Sequence, residues 1–169
     1  MSASGYVLRV ATPDDAGAVD ALLEASYPLL MAPFYDPAVL APALKLMTKA
    51  QMSLLASGTY YVAETPPGLL VGCGGWTLER PGTGLIEADL AHIRHFGTHP
   101  AWTNRGIGRA IYRRCEAAAR SAGVTRFECY SALNAEGFYA SLRFASIRRM
   151  EMELEPNVAL ASVLMSREI

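Results

Sequence analysis

Apolar positions along the chain recur in two rhythms, every second residue or every third to fourth, and the switches between them mark out the elements. Tyr6 to Val10 (YVLRV) reads as a first strand. Thr12, Pro13, Asp14 and Asp15 make a helix start, with a hydroxyl at the N-cap, proline at the first helical position and carboxylates near the positive end of the dipole. Ala18, Val19, Leu22 and Leu23 then line one helical face to about Ser26. Tyr27 to Asp36 (YPLLMAPFYD) holds two prolines and three aromatics. That composition predicts an irregular connection, which lines a pocket or simply covers the core. Asp36 and Pro37 open a second helical region to about Leu55, broken near Thr48 and ended by Gly58. Thr59 to Glu64 and Leu69 to Leu78 are β-rich runs around the turn TPPG (65–68), hence a hairpin. Gly72, Gly74 and Gly75 do not spell GxGxxG and no helix follows them, so they predict a bulge or close strand packing.

Glu79 to Gly84 (ERPGTG) is a loop, and Ala91 to Thr98 the next strand, led in by Glu87 and Asp89. Strand alternation puts His92, Arg94 and Phe96 on one face and Ile93 and His95 on the other. Ile107, Ile111, Cys115, Ala118 and Ala122 then repeat at helical spacing, with Arg109, Arg113, Glu116 and Arg120 on another face and Gly123 as C-cap. Thr125 to Ser131 alternates as a strand, Asn134 opens a short helix with Phe138, Tyr139 and Leu142, Ser146 to Leu154 is a strand, and the tail from Asn157 is helix or strand. This order predicts an α/β fold of the α+β kind, with a mixed sheet rather than a regular doubly wound one.

Composition narrows the function. With 169 residues, 51% apolar and 18% charged, the chain can bury one core and reads as a single domain over 1–169. A net charge of -1 provides no footprint for nucleic acid. The opening residues MSASGYVLRV lack the apolar stretch of a signal peptide, and no run nears the ~20 apolar residues of a membrane span. The expectation is a cytoplasmic protein with no membrane or nucleic-acid partner. Cys73, Cys115 and Cys129 form no CxxC or CxxH pair and read as reduced core residues, with no metal site.

Candidate chemistry concentrates in Ile93 to Arg109, IRHFGTHPAWTNRGIGR. Gly106 and Gly108 flank Ile107 at a helix start, where outward N–H groups suit a phosphate. A Walker loop is excluded because no Gly-Lys pair exists in the chain. A dinucleotide fingerprint fails at its third glycine, which would fall on Ile111. His92 has the intrinsic pKa of a base near neutrality.

The turn TNRGIG (103–108) resembles the Q/R-x-x-G-x-G/A motif of the GCN5-related N-acetyltransferases. NAEGFYASLRF (134–144) resembles that family's second signature, N-x-x-x-F-Y-x-x-x-G-F, and RVATPDDA (9–16) looks like its first strand and helix start. The resemblance covers nearly the whole chain. It implies a mostly antiparallel central sheet of about six to seven strands, splayed in the middle and flanked by about four helices. It implies acetyl-CoA as co-substrate, held between the strands Ile93 to Thr98 and Thr125 to Ser131. The pyrophosphate would take N–H groups from Asn104, Arg105, Gly106, Ile107, Gly108 and Arg109; Phe96, Gly97 and Thr98 would run along the pantetheine arm, and Asn134 would touch that arm or cap its helix. Arg113, one turn beyond Arg109, reads as a solvated face. Tyr139 would be the general acid. His92 would be the base, with Asp89 and Glu87 open as alternatives through water. Two positions depart from the pattern: Thr103 stands where Gln or Arg is usual, and Arg143 where Gly is. The implied activity is acetyl transfer to a primary amine by direct attack in a ternary complex, the acceptor being a small-molecule or peptide amine. A non-catalytic acyl-CoA sensor of the same fold competes with it, and a homodimer stays open.

Overall fold

In a computed structural model, which describes residues 4–66 and 68–169, the strands are β1 (Val7–Val10), β2 (Tyr60–Thr65), β3 (Leu69–Thr77), β4 (Leu90–Thr98), β5 (Arg126–Ala132), β6 (Ala145–Glu155) and β7 (Val158–Glu168). The helices are α1 (Ala16–Met31), α2 (Pro37–Met47), α3 (Met52–Leu55), α4 (Ile107–Ser121) and α5 (Glu136–Ser141). All seven strands form one sheet in the order β1-β2-β3-β4-β5-β7-β6. Every neighbouring pair is antiparallel except β4 and β5. The mixed, mostly antiparallel sheet is therefore as expected, and the tail from Asn157 is strand β7.

The helix starts follow the sequence signals. The Asp15 carboxylate accepts the Thr12 N–H at 2.8 Å and pairs with Arg9 at 2.7 Å, while Arg9 also reaches Glu64 at 2.8 Å. One guanidinium thus ties β1 to the first helical turn and to β2, and Arg9 holds the Asp15 carboxyl below its ordinary pKa. Asp36 caps α2 through the Ala38 N–H. The break near Thr48 is real: its N–H and Oγ1 both bond the Leu44 carbonyl, which closes α2.

Two layers of helix bury the sheet. On one face α4 and α5 cover Ala91, Ile93, Phe127 and Cys129 with Ile107, Ile111, Cys115 and Tyr139. On the other, α1 sets Leu22 and Leu23 against Val62 and Cys73, and α2 packs Leu40 and Ala43 near Leu160. Burying a leucine such as Leu23 stabilises by roughly 1.5–3 kcal/mol, and truncation to Ala would cost about 2–5 kcal/mol. All three cysteines are free and buried. The glycine run of β3 serves both expected ends, since a Cβ at Gly72 would strike Ile107 and one at Gly74 the Phe96 ring. The turn of the β2–β3 hairpin includes Pro67, which lies outside the described residues. No helix among the described residues is long and apolar enough to cross a membrane.

Two expectations are corrected. Tyr27 to Asp36 is mostly helical: α1 runs through Pro28 to Met31, followed by a 3-10 turn at Ala32–Phe34. Pro28 removes one helical N–H donor, but Ser26 and Met31 on either side of it are fully buried, and that packing overrides the local break. The second correction concerns β4. Its register against β3 slips between Cys73 and Gly75, so His95 and Phe96 together oppose Gly74, and His95 has φ +54°. This bulge resets the alternation. Phe96 falls with Ala91 and Ile93 on the α4 side, while His92 and Arg94 stay on the other. His95 stays there too, with its Nε2 2.8 Å from the Met47 carbonyl.

The same bulge stands where β4 leaves β5. The two strands pair only at Leu90↔Arg126, Ala91↔Phe127 and His92↔Glu128, whereas β5 remains bound to β7 as far as Ala132. From Ile93 onward a gap opens through the sheet.

Candidate active site

A cavity of about 550 Å³ fills this gap, a size suited to an organic ligand. It is lined by Phe96, Gly97 and Thr98 of β4, by Thr103, Asn104, Gly106, Ile107, Gly108 and Arg109 at the start of α4, and by Asn134 and Tyr139. Eleven of the thirteen residues singled out from the sequence therefore meet on one surface. Arg105 and His92 do not line it.

The start of α4 presents its N–H groups without competition. Gly106 is the N-cap, carries no side chain to occupy them, and has φ +78°; Asn104 has φ +60°. Positive φ at both positions curls the chain into a concave N–H surface, and the helix dipole adds to its pull on an anion. A Cβ at Gly106 would meet nothing within 4 Å, so the space over the turn is open. Thr103, the departure from the motif, spends its hydroxyl on the Pro100 carbonyl at 3.2 Å and closes the preceding 3-10 turn. Arg105 instead lies over the Trp102 ring at 4.6 Å. Arg109 reaches the Ser141 carbonyl and hydroxyl at 3.4 Å, bridging α4 to the end of α5. Arg113 is exposed, as expected for a solvated face.

Asn134 does not cap α5, whose N-cap is Ala135. Its Oδ1 is buried with no hydrogen-bond partner, and so is the Oγ of Ser26 on α1; both residues line the cavity. A buried polar atom without a partner costs about 1–3 kcal/mol. Two such atoms in residues that line one cavity mark where a polar ligand would bond. These groups fit the pantetheine amides and pyrophosphate of CoA: an amide acceptor and a hydroxyl along the cleft, and a nest of N–H groups at its end.

Tyr139 stands at the root of the gap. Its ring packs edge-on to Phe96, Phe138 and Phe144 at centroid distances of 6.2, 5.0 and 5.6 Å, which fixes its direction. The residue is 6% exposed and its hydroxyl has no partner among the described residues. Burial pushes the phenol well above its ordinary pKa, so it holds its proton. Gly108 makes room for this cluster, since a Cβ there would come within 2.9 Å of the Phe138 ring.

His92 lies on the opposite side of the sheet, 2% exposed, with Nε2 unpartnered. Burial, then the charges of Arg80 and Arg94, push its pKa down to about 4. Its neighbour across the parallel pair is Glu128, whose Oε1 lies 3.8 Å from Arg126 and whose Oε2 lies 3.7 Å from Arg80. Arg80 also donates to the Tyr130 hydroxyl at 3.1 Å and pairs with Glu87. Among the described residues no cluster of His, Cys, Asp or Glu could hold a metal ion.

Sequence reasoning missed Ser26 and the helical form of the segment that carries Tyr27 and Leu30. Ser26, Tyr27 and Leu30 line the cavity, and the prolines that suggested an irregular segment concealed their helical register. The expectation that Tyr27 to Asp36 lines a pocket holds for Tyr27 and Leu30. Trp102 and Phe138 also line it; a tryptophan beside the glycine turn was the available signal.

The family model described as an acetyltransferase (GNAT) domain matches residues 56–146. No curated protein matches the chain in sequence. Solved structures with the same fold include a GCN5-related N-acetyltransferase from Rhodopseudomonas palustris, 22% identical with TM-score 0.74, covering 100% of this chain and 99% of that one. The PaiA N-acetyltransferase of Thermoplasma acidophilum, solved in complex with coenzyme A, is 14% identical with TM-score 0.70 over 97% and 99% of the two chains. The ribosomal-protein-S18-alanine N-acetyltransferase of Escherichia coli is 12% identical with TM-score 0.64 over 97% and 94%.

Proposed function

The chain belongs to the GNAT family of acetyltransferases, and from that premise we propose that it is an N-acetyltransferase, moving the acetyl group of acetyl-CoA to a primary amine by direct attack in a ternary complex. The observation that carries this reading is Tyr139, which lines the cavity with its phenol kept protonated by burial and without a hydrogen-bond partner among the described residues. The whole chain, 1–169, acts as one cytoplasmic domain in this reading.

The N–H groups of residues 104–109 hold the pyrophosphate, with Arg105 and Arg109 adding charge at the mouth. The splayed edge at Phe96, Gly97 and Thr98 holds the pantetheine arm as an added strand would, and Asn134 accepts from one of its amides. The amine nitrogen attacks the thioester carbon, the C–S bond breaks, and Tyr139 gives its proton to the departing sulfur. His92 takes the proton released by the amine. Because His92 does not line the cavity, that proton reaches it through water. Its pKa of about 4 keeps it unprotonated at neutral pH and makes it a weak base.

The test is to follow free thiol with acetyl-CoA and a panel of small amines and peptide N-termini. Thiol release that depends on the amine is the expected result. CoA binding with no release above background would instead establish a sensor.

A further inference from the structure

The bulge in β4 is fastened from behind by two hydroxyls that no part of the reaction scheme uses. Tyr60 donates to the His95 carbonyl at 2.7 Å, and Tyr27 donates to the next carbonyl, that of Phe96, at 2.6 Å. These distances are those of well-formed O–H···O bonds. Both phenols are pushed well above their ordinary pKa by burial, so both remain donors.

The bonds fall where the β3–β4 ladder is interrupted between Arg94 and Gly97, with only the Cys73 thiol, 3.7 Å from the His95 carbonyl, beside them. His95 has φ +54°, a region that costs a residue with a Cβ on the order of 1 kcal/mol. On its β5 side β4 has no partner beyond His92. Two consecutive peptide planes are thus set from the α1 side of the sheet. Since a trans peptide points its N–H opposite to its carbonyl, Tyr60 fixes the direction of the Phe96 N–H and Tyr27 that of the Gly97 N–H. The same turn of the chain delivers the Phe96 ring to the other face, where it packs on Tyr139. Gly74 is the space that ring occupies.

We propose that Tyr27 and Tyr60 are positioning residues for acetyl transfer: their hydroxyls hold the β4 bulge, and through it the Phe96 N–H, which leaves the β3 ladder there, and the ring that braces Tyr139. Tyr27 is the more telling of the two, because it also lines the cavity and removal of its hydroxyl leaves the ring in place. The inference rests on the acetyl-transfer reading, which puts the thioester against this edge. The glycine turn, where the pyrophosphate end of CoA would bind, is untouched by either bond, so the two residues should act on turnover far more than on affinity for CoA.

The experiment compares Tyr27→Phe and Tyr60→Phe with the parent protein. Thiol release gives kcat, calorimetry gives the Kd for CoA, and amide hydrogen exchange reads Phe96 and Gly97. For Tyr27→Phe the expected result is a kcat about tenfold lower, as for loss of an interaction that matters in the transition state, with the Kd within about twofold. Exchange at Gly97 should rise about tenfold, the response to losing one local hydrogen bond of ordinary strength. A folded Tyr27→Phe protein with unchanged kcat overturns the proposal, as does a kcat loss matched by an equal loss of CoA affinity. If Tyr60→Phe does not fold, Tyr27→Phe decides alone. If the parent protein itself releases no thiol with any amine, the acetyl-transfer reading fails. The exchange measurement then still decides the anchoring: faster exchange at Gly97 supports it, and unchanged exchange overturns it.

Discussion

On the α4 wall of the cleft the groups facing a ligand are backbone N–H groups, those of residues 104–109, given their direction by two positive φ angles and a helix start. Across from it they are side chains, Ser26 and Tyr27 from α1, while His92 of β4 does not reach the cavity lining. The first wall needs few particular side chains, only permissive backbone, and suits a ligand that ends in phosphate. The second depends on groups brought from elements far apart in the chain. The division suits an enzyme with one constant and one variable substrate, and it can be broken from either side.

The largest effect is expected where the two walls meet. Tyr139→Phe removes the proposed proton donor and keeps the ring that packs on Phe96 and Phe144. Turnover should fall by about one to two orders of magnitude, the range for loss of a general acid, while the Kd for CoA stays put. Steady-state kinetics beside calorimetry check it, and an unchanged kcat would remove Tyr139 from the mechanism. Next in size is Gly106→Val, which strains the N-cap at φ +78° and leaves the rest of α4 intact. A branched side chain is a genuine outlier at positive φ. CoA should bind about tenfold more weakly, by loss of one or two charge-assisted N–H contacts, with kcat at saturation nearly unchanged. A fall in kcat without loss of affinity would mean that the turn does not hold the cofactor.

The same division explains what could be read from sequence. A backbone-built site leaves a local signature, because positive φ and close approach select glycine at fixed spacing; TNRGIG displayed the α4 wall before any fold was known. The helix behind Tyr139 was legible for a related reason, since Phe138, Tyr139 and Phe144 must reach one cluster. The α1 wall had no such signature. Pro28 argued against a helix, and only tertiary burial of Ser26 and Met31 carries α1 past it. The face of Phe96 was misassigned because simple alternation takes no account of a bulge. His95 offers no local reason for φ +54°; the reasons lie at Tyr27 and Tyr60, 68 and 35 residues away from it in sequence.

A smaller effect should come from His92. Its folded pKa of about 4 lies below the ordinary 6.5, so the unfolded chain takes up a proton across that window which the folded chain refuses. Stability contributed this way is present above pH 6.5 and is lost as pH falls toward 4. His95, also held low by burial, adds in the same direction. His92→Gln should flatten the acid side of the stability curve measured by thermal unfolding. In kinetics, the acid limb of kcat/KM should lie near pH 4–5 and not at 6.5 if His92 is the base. The variant should lose about fivefold in rate, less than the hundredfold of a base in direct contact, because water already relays the proton. An acid limb at 6.5 would exclude a desolvated His92 from the role.

The smallest effect tests the second departure from the family pattern. Arg143 has φ +68° where glycine is usual, and the helix ends there in the turn a glycine would make: its N–H bonds the Ala140 carbonyl and the Phe144 N–H bonds that of Tyr139. The chain has therefore kept the glycine geometry with an arginine in it, at a cost on the order of 1 kcal/mol. The exposed side chain makes no hydrogen bond or ion pair that would offset the strain among the described residues. Arg143→Gly should recover most of this, raising the thermal midpoint by a few degrees, with kcat and CoA affinity unchanged. Because this turn ends the helix that carries Tyr139, the variant also separates two accounts of the arginine. A gain in stability with intact kinetics makes Arg143 a tolerated strain; a gain in stability with a raised KM for either substrate means that its guanidinium reaches that substrate, and the side-chain wall extends to the far side of the cleft.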